Sequence, residues 1–133
     1  MEKVFASPHI NIYLHSGPVP VLELVWLDFA NSDELRAALL EGLRLGRQHN
    51  IKAWLADNRL LRAIRPKDFE WMGPAIITPL HELGVRHIAV VESQDAINRF
   101  GVNAFMASVI PNTRITSQNF STIEAARVWA LQA

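Results

Sequence analysis

The sequence contains no cysteine. This absence excludes disulfide bonds, thiolate catalysis and zinc sites with cysteine ligands, and it is typical of a reducing compartment. A surplus of one charge is also missing, because 13 Lys and Arg residues balance 13 Asp and Glu residues. Proteins that bind nucleic acid generally carry a basic surplus, so we expect no nucleic-acid partner.

Long apolar runs are missing as well. The longest run, from Val19 to Leu27, is interrupted by Pro20 and Glu23, whereas a membrane helix needs about 20 apolar residues. The first residues show no apolar segment after a basic start, so they do not predict a signal peptide. We therefore expect no membrane insertion and a cytoplasmic location.

The balance of residue types is that of a folded domain. Half of the 133 residues are hydrophobic and 20% are charged. A chain of this length can bury a core without disulfides or a structural metal. No repeat, linker or low-complexity segment divides it, so residues 1–133 are expected to form a single domain.

The first half of the chain shows the clearest local patterns. Apolar and polar residues alternate from His9 to His15, which predicts a strand, and a Gly-Pro turn connects it to a second strand from Val19 to Phe29. Asn31 and Glu34 have the spacing of a capping box ahead of a helix that ends at Asn50. A third strand follows, from Ile51 to Asp57.

The second half repeats the alternation of helix and strand. Pro66 is suited to the first turn of a helix, Gly73-Pro74 is expected to kink that helix, and Gly84 to end it. The remaining predicted elements are a strand from Val85 to Val91, a helix opened by Ser93 or Asp95, a strand from Arg114 to Ser117 and a last helix opened by Ser121. The helix opened by Ser93 or Asp95 carries an apolar stripe formed by Ile97, Phe100, Gly101, Ala104 and Phe105.

The order β-β-α-β-α-β-α-β-α predicts an α/β fold. Strands that alternate with helices pair in parallel through right-handed crossovers. We expect a mixed sheet of about five strands, mostly parallel, with the helices mainly on one face.

This order resembles the STAS-like fold of bacterial anti-sigma-factor antagonists. The segments that support the resemblance are Leu55–Asn58, Arg86–Val91 and the capped helix that ends in Val128-Trp129. The resemblance implies a single-domain bacterial protein that acts by protein–protein contact. In the antagonists a Ser or Thr follows the acidic end of the central strand and is phosphorylated. Here Arg59 follows Asp57-Asn58, and residues 33–77 contain no Ser or Thr, so that phosphorylation switch is not carried over.

The loop after the central strand is the best candidate for a ligand site. Functional residues of open α/β sheets collect at the carboxyl ends of the strands, and arginines near a helix start favour an anion. Trp71 could add an aromatic wall. The alternative is that the acidic residues pair with the arginines and only order the loop. The candidate residues are Asp57, Asn58, Arg59, Arg65, Asp68 and Trp71.

A second candidate surface lies on the sheet itself. Ile51, Ala53 and Leu55 share one face of the central strand, and Trp54 lies on the other. If the helices cover the Ile51 side, then Trp54, Ile88 and Val90 line an apolar face that a second subunit would cover. The alternative is that the protein's own hairpin covers Trp54.

No pattern commits to an enzyme. No two of the five histidines have a spacing suited to one metal ion, and the glycines do not form a phosphate loop. Ser93 has no nucleophile-elbow motif around it. We therefore expect no cofactor and no metal. The sequence favours a non-enzymatic interaction module whose partner is itself, as a homodimer, or another protein. A small-ligand or anion-binding domain that uses the segment from Asp57 to Trp71 is the alternative.

Overall fold

The structure is a computed structural model that describes all 133 residues. Six strands form one mixed sheet in the order β1-β2-β3-β4-β5-β6. The strands are β1 Glu2–Ala6, β2 Ile10–His15, β3 Val21–Trp26, β4 Ala53–Asp57, β5 His87–Val91 and β6 Thr116–Phe120. The helices are α1 Ser32–His49, α2 Pro66–Met72, α3 Thr78–Leu83, α4 Ala96–Val109 and α5 Ile123–Ala130. A wide turn, Gly73–Ile77, connects α2 to α3, and a 3₁₀ turn, Ile110–Asn112, follows α4.

The sheet has an antiparallel part and a parallel part. β1, β2 and β3 pair in antiparallel fashion, and β3 to β6 pair in parallel. β4 therefore lies inside the sheet, as predicted for the strand that ends at Asp57. The predicted α/β class and the mixed sheet are confirmed, and the one strand not predicted from the sequence is β1.

Most helices lie on one face because the three parallel crossovers all advance in the same direction. Right-handed crossovers of this kind place their helices on a common side. Side chains of α1, α2, α3 and α4 share one large core with that face of the sheet. α5 alone covers the opposite face, where it packs on β4 and β5.

Trp54, Ile88 and Val90 face the larger helix layer. Their exposed fractions are 5%, 3% and 4%, so the prediction that they line an open interface is wrong. Their large side chains fill the space beneath the layer formed by α1, α2, α3 and α4. A Cβ on Gly42 would lie 2.7 Å from Cη2 of Trp54, which means that α1 lies directly on the indole ring only because Gly42 has no side chain.

The opposite face combines aliphatic residues with small residues where α5 packs. Ala53 and Ala89 on the sheet meet Ala126 and Ala130 of α5, and all four are fully buried. Small side chains on both surfaces allow a single short helix to approach the sheet closely. The small volumes of these four residues let α5 pack closely on β4 and β5.

Most helix ends follow the sequence signals, but the prediction that Ser121 opens the last helix is wrong, because the hydroxyl of Thr122 accepts the hydrogen bond from the Ala125 backbone N–H. Asn31 accepts a hydrogen bond from the Glu34 backbone N–H at 2.9 Å, and the Glu34 carboxylate accepts one from the Asn31 backbone N–H at 2.9 Å. Asn50 ends α1 in the left-handed conformation at φ 50°. The predicted kink at Gly73-Pro74 is the wide turn between α2 and α3.

None of the helices combines the length and the apolar character needed to cross a membrane.

Candidate functional site

The predicted loop begins with an ion pair. Asp57 ends β4 with 3% of its surface exposed. Nε of Arg59 donates to Oδ1 of Asp57 at 2.9 Å, and a terminal nitrogen of Arg59 donates to Oδ2 at 2.7 Å. The hydrogen bonds to Asp57 raise the pKa of Arg59 above its ordinary value. The guanidinium is thus held and neutralised by its own loop.

Asp68 points to a different neighbour. It is 2% exposed, and it accepts hydrogen bonds from the hydroxyl of Ser32 at 2.7 Å and from Nε of Arg36 at 2.9 Å. Arg36 also lies over the ring of Trp71, 5.1 Å from its centroid. Asp68 and Trp71 therefore join α2 to the start of α1.

The other two predicted residues lie apart from both pairs. Asn58 is 5% exposed and lines an apolar cavity of about 80 Å³ inside the main core. Arg65 is exposed and makes no side-chain hydrogen bond or ion pair. The six residues form separate contacts and do not surround one pocket.

A buried carboxylate that was not predicted as a site lies on the α5 side of the sheet. Glu23, in the middle of β3, is 1% exposed. Arg127 of α5 donates to it from Nε at 2.8 Å and from a terminal nitrogen at 2.9 Å. Nε2 of His15 lies 2.9 Å from Oε1 of the same carboxylate. In the sequence Glu23 was visible only as a break in an apolar run.

Two opposing effects set the acidity of Glu23. Burial raises the pKa of its carboxyl group, and the hydrogen bonds from Arg127 and His15 lower it. The hydrogen bonds win, so the pKa of Glu23 lies below its ordinary value. Glu23 is therefore a structural anion that fastens α5 to the sheet.

A wide and mainly apolar space lies between α2 and α4, and we call it the α2–α4 groove. Its volume is about 910 Å³. Phe100 and Ile97 flank it and are 80% and 70% exposed. The apolar stripe predicted for α4 is therefore only partly covered by its neighbours. The lining residues are Ile64, Pro66, Phe69, Glu70, Gly73, Pro74, Ala96, Ile97, Phe100, Gly101, Ala104, Phe105, Ser108 and Val109.

The base of the groove is built by close aromatic packing. A Cβ on Gly101 would lie 2.9 Å from Cε2 of Phe69, and the rings of Phe69 and Phe105 are 5.3 Å apart. Inside α4, Asn98 and Val102 are the buried positions. The apolar stripe is thus wider than the buried surface, and its outer edge stays in solvent.

No three His, Asp or Glu side chains come together in an arrangement that could hold a metal ion.

Neither a protein-family model nor a curated protein matches the sequence. A solved structure does match: the crystal structure of an uncharacterized protein of the DUF3478 family from Shewanella loihica PV-4. The match covers 96% of this chain and 98% of that chain, with a TM-score of 0.52 and 16% sequence identity. That protein has a SpoIIAA-like fold. This chain shares it.

The SpoIIAA-like fold is the STAS-like architecture that the order of elements predicted, so that prediction is confirmed. At 16% identity the likeness concerns the fold alone. Function has to be argued from the residues that this chain places on the shared architecture.

Proposed function

We propose that the chain is a cytoplasmic, non-enzymatic STAS-like module that acts by protein–protein contact and works as a homodimer through the α2–α4 groove. The observation that carries the proposal is the 80% exposure of Phe100 beside an apolar groove of about 910 Å³. Single exposed apolar residues are common, but a contiguous apolar surface of this kind marks an interaction site.

The shape of the surface favours a second copy of the chain as the occupant. In a two-fold contact the same patch lies on both sides, so the patch must fit itself. Phe100 and Ile97 stand out beside a recess that includes Gly73. A Cβ on Gly73 would have only Cγ1 of Val109 within 4 Å, at 3.7 Å. Each copy can therefore offer a projecting aromatic ring and an open recess to the other.

The charges of the surface agree with self-association. Glu70 is the one charged residue among those that line the groove, and the chain carries no net charge. Two copies can approach without strong repulsion and without burying many ions. Interface cores are typically depleted of charge and rich in aromatic residues.

A phosphorylation switch at the end of the central strand is not part of the proposal. The position that follows Asp57-Asn58 is Arg59, and its side chain is bound to Asp57. No hydroxyl is available there for a kinase. The proposed contact depends instead on the outer surfaces of α2 and α4.

The proposal predicts that Phe100→Asp converts a dimer into a monomer. At micromolar concentration the wild-type protein should show twice the 15.0 kDa mass of one chain by light scattering after size exclusion. Burying each Phe100 side chain contributes about 1.5–3 kcal/mol. The loss of both should weaken association by about 100-fold or more, and the variant should elute as a monomer.

The matched control is Val128→Asp. Val128 is 61% exposed on α5, on the opposite side of the sheet, so the same change of charge there should leave the dimer intact. A monomeric wild-type protein contradicts the proposal. Dissociation by Val128→Asp together with an intact Phe100→Asp dimer would place the contact on the other face.

A further inference from the structure

Basic residues collect at the edge of the sheet opposite to the Asp57 loop, where the parallel strands begin. Lys52 precedes β4, Arg86 precedes β5 and Arg114 lies just before β6. The backbone N–H of Arg86 donates to the carbonyl of Lys52 at 2.8 Å, and that of Thr116 donates to the carbonyl of Arg86 at 2.8 Å. The sheet thus brings together cations that are far apart in the sequence.

These side chains surround a cavity of about 470 Å³. Five of its lining residues can carry a positive charge, and none is Asp or Glu. The volume falls within the usual range for small-molecule pockets. The lining residues are Lys52, His81, Gly84, Val85, Arg86, His87, Arg114 and Thr116, and none of them belongs to the α2–α4 groove.

The cations at this cavity differ from the four arginines that form ion pairs. Arg36, Arg44, Arg59 and Arg127 each have a carboxylate within 4 Å, as the ion pairs show. Lys52, Arg86 and Arg114 form no ion pair. In a chain with equal numbers of acidic and basic residues, three like charges without a counter-charge share one cavity. A bound anion would remove their mutual repulsion.

Two of the last carbonyl groups of α3 already have partners. Basic side chains often lie near a helix end because its last carbonyls have no partner. Here the N–H of Gly84 donates to the carbonyl of His81 at 3.1 Å, and that of Val85 donates to the carbonyl of Leu80 at 3.1 Å. Those carbonyls are therefore already satisfied by the backbone.

His87 is held in place by its neighbours, and Lys52 lies beside a glycine. The imidazole of His87 stacks on Trp129, with ring centroids 3.9 Å apart and planes 9° from parallel. Nδ1 of His87 donates to the Trp129 carbonyl at 3.1 Å, so Nε2 is left without a protein partner. A Cβ on Gly84, whose φ is 97°, would lie 3.6 Å from Nζ of Lys52, which places the ammonium group beside a residue with no side chain.

We propose that this cavity binds a phosphate group, either free or carried by a small molecule. Arginine guanidinium groups bind phosphate through paired, charge-assisted hydrogen bonds, and lysine adds a compact charge. The hydroxyl of Thr116 is a further donor to phosphate oxygens. The site is independent of the proposed dimer contact, since it lies at another edge of the sheet.

The test is a titration of ¹⁵N-labelled protein with inorganic phosphate at constant ionic strength, followed by the backbone amide resonances. We expect saturable shifts centred on Lys52 and on residues 84–87. The double variant Arg86→Gln/Arg114→Gln should bind phosphate about tenfold more weakly or worse, because each arginine donates charge-assisted hydrogen bonds. Its spectrum without phosphate reports whether it folds.

The matched control is Arg62→Gln/Arg65→Gln, which removes two exposed arginines without ion pairs from the loop after β4. Its affinity for phosphate should equal that of the wild-type protein. An equal loss of phosphate affinity in both double variants would overturn the proposal, and so would shifts that do not saturate. Either result indicates general attraction between charges and no specific site.

Ribose 5-phosphate and ribose distinguish the sources of the phosphate. Tighter binding of ribose 5-phosphate than of inorganic phosphate indicates a phosphorylated small molecule, and equal binding indicates that the phosphate group alone is recognised. Both results support the site, provided that ribose causes no shift. Equal shifts with ribose and ribose 5-phosphate contradict it.

Discussion

Trp54→Ala is expected to lower the free energy of unfolding by about 3–5 kcal/mol. The Trp54 side chain is 5% exposed and lies between β4 and α1. Its removal leaves a cavity that α1 cannot fill, because Gly42 provides no side chain above it. Urea denaturation followed by circular dichroism measures the change, and the slope of the transition should stay that of a two-state unfolding.

Leu40→Ala is the control for this substitution. Leu40 is an apolar residue of α1 that is 49% exposed, so its truncation should change stability by about 0.5 kcal/mol or less. If Trp54→Ala proved as mild as Leu40→Ala while changing the oligomeric mass, Trp54 would have to be a surface residue. The face of the sheet that carries Trp54 would then not be the one that α1, α2, α3 and α4 cover.

Arg127→Met is expected to destabilise the protein by about 3 kcal/mol. The substitution keeps the apolar length of the side chain but leaves the Glu23 carboxylate, which is 1% exposed, with His15 as its remaining partner. Removing one member of a buried ion pair typically costs about 3–5 kcal/mol. We expect the lower end because Arg127 itself is 37% exposed and some water can reach the pair.

Arg44→Met is the matched control, since Arg44 pairs with Glu41 on the exposed side of α1. Surface pairs contribute little, so its unfolding midpoint should not change. Equal effects of the two substitutions would mean that the Glu23 pair is solvated and that α5 is held by its alanines alone.

The lowered pKa of Glu23 fixes the sign of the pH dependence. Between that lowered value and the ordinary value of 4.5, the unfolded chain binds more protons at this residue than the folded chain does. Stability due to Glu23 is therefore complete above about pH 4.5 and is lost as the pH falls through the lowered pKa. Glu23→Gln should reduce this acid-dependent loss, as denaturation curves at several pH values below 5 would show.

The local elements were predictable because their signals are local. The capping box of Asn31 and Glu34 fixes the start of α1, and the apolar strand that ends at Asp57 identifies β4. Which face of β4 the larger helix layer covers was not predictable from the alternation of side chains. A period of two residues shows which side chains share a face, but Trp54 faces the helices because Gly42, on another element, makes room for it.

β1 was missed because its pattern is weak. The strand Glu2–Ala6 lies at the edge of the sheet and is mostly exposed. An irregularity between Lys3 and Phe5 shifts its register against β2, which disturbs the alternation of side chains. An edge strand with a bulge has little apolar periodicity to detect.

The candidate site was located only in part, since its contacts are not local. Asp57 and Arg59 pair within the predicted loop, but Asp68 is taken by Ser32 and Arg36 of another helix. The apolar stripe of α4 did contain Phe100. Helical spacing alone does not show how much of a stripe the neighbouring helix covers, and here α2 leaves Phe100 in solvent.

The central claim, that two copies meet through the α2–α4 groove, can be tested by paramagnetic labelling. Because the chain has no cysteine, Ala107→Cys, at an exposed position of α4, provides a single attachment point for a nitroxide. Protein that carries the nitroxide but no ¹⁵N is mixed with ¹⁵N-labelled protein that carries no nitroxide. Any broadening of the amide signals must then arise between two copies. The account predicts broadening of amide signals in α2 and α4 and none in β1 and β2. Broadening confined to the hairpin of β1 and β2, or no broadening at all, would contradict it.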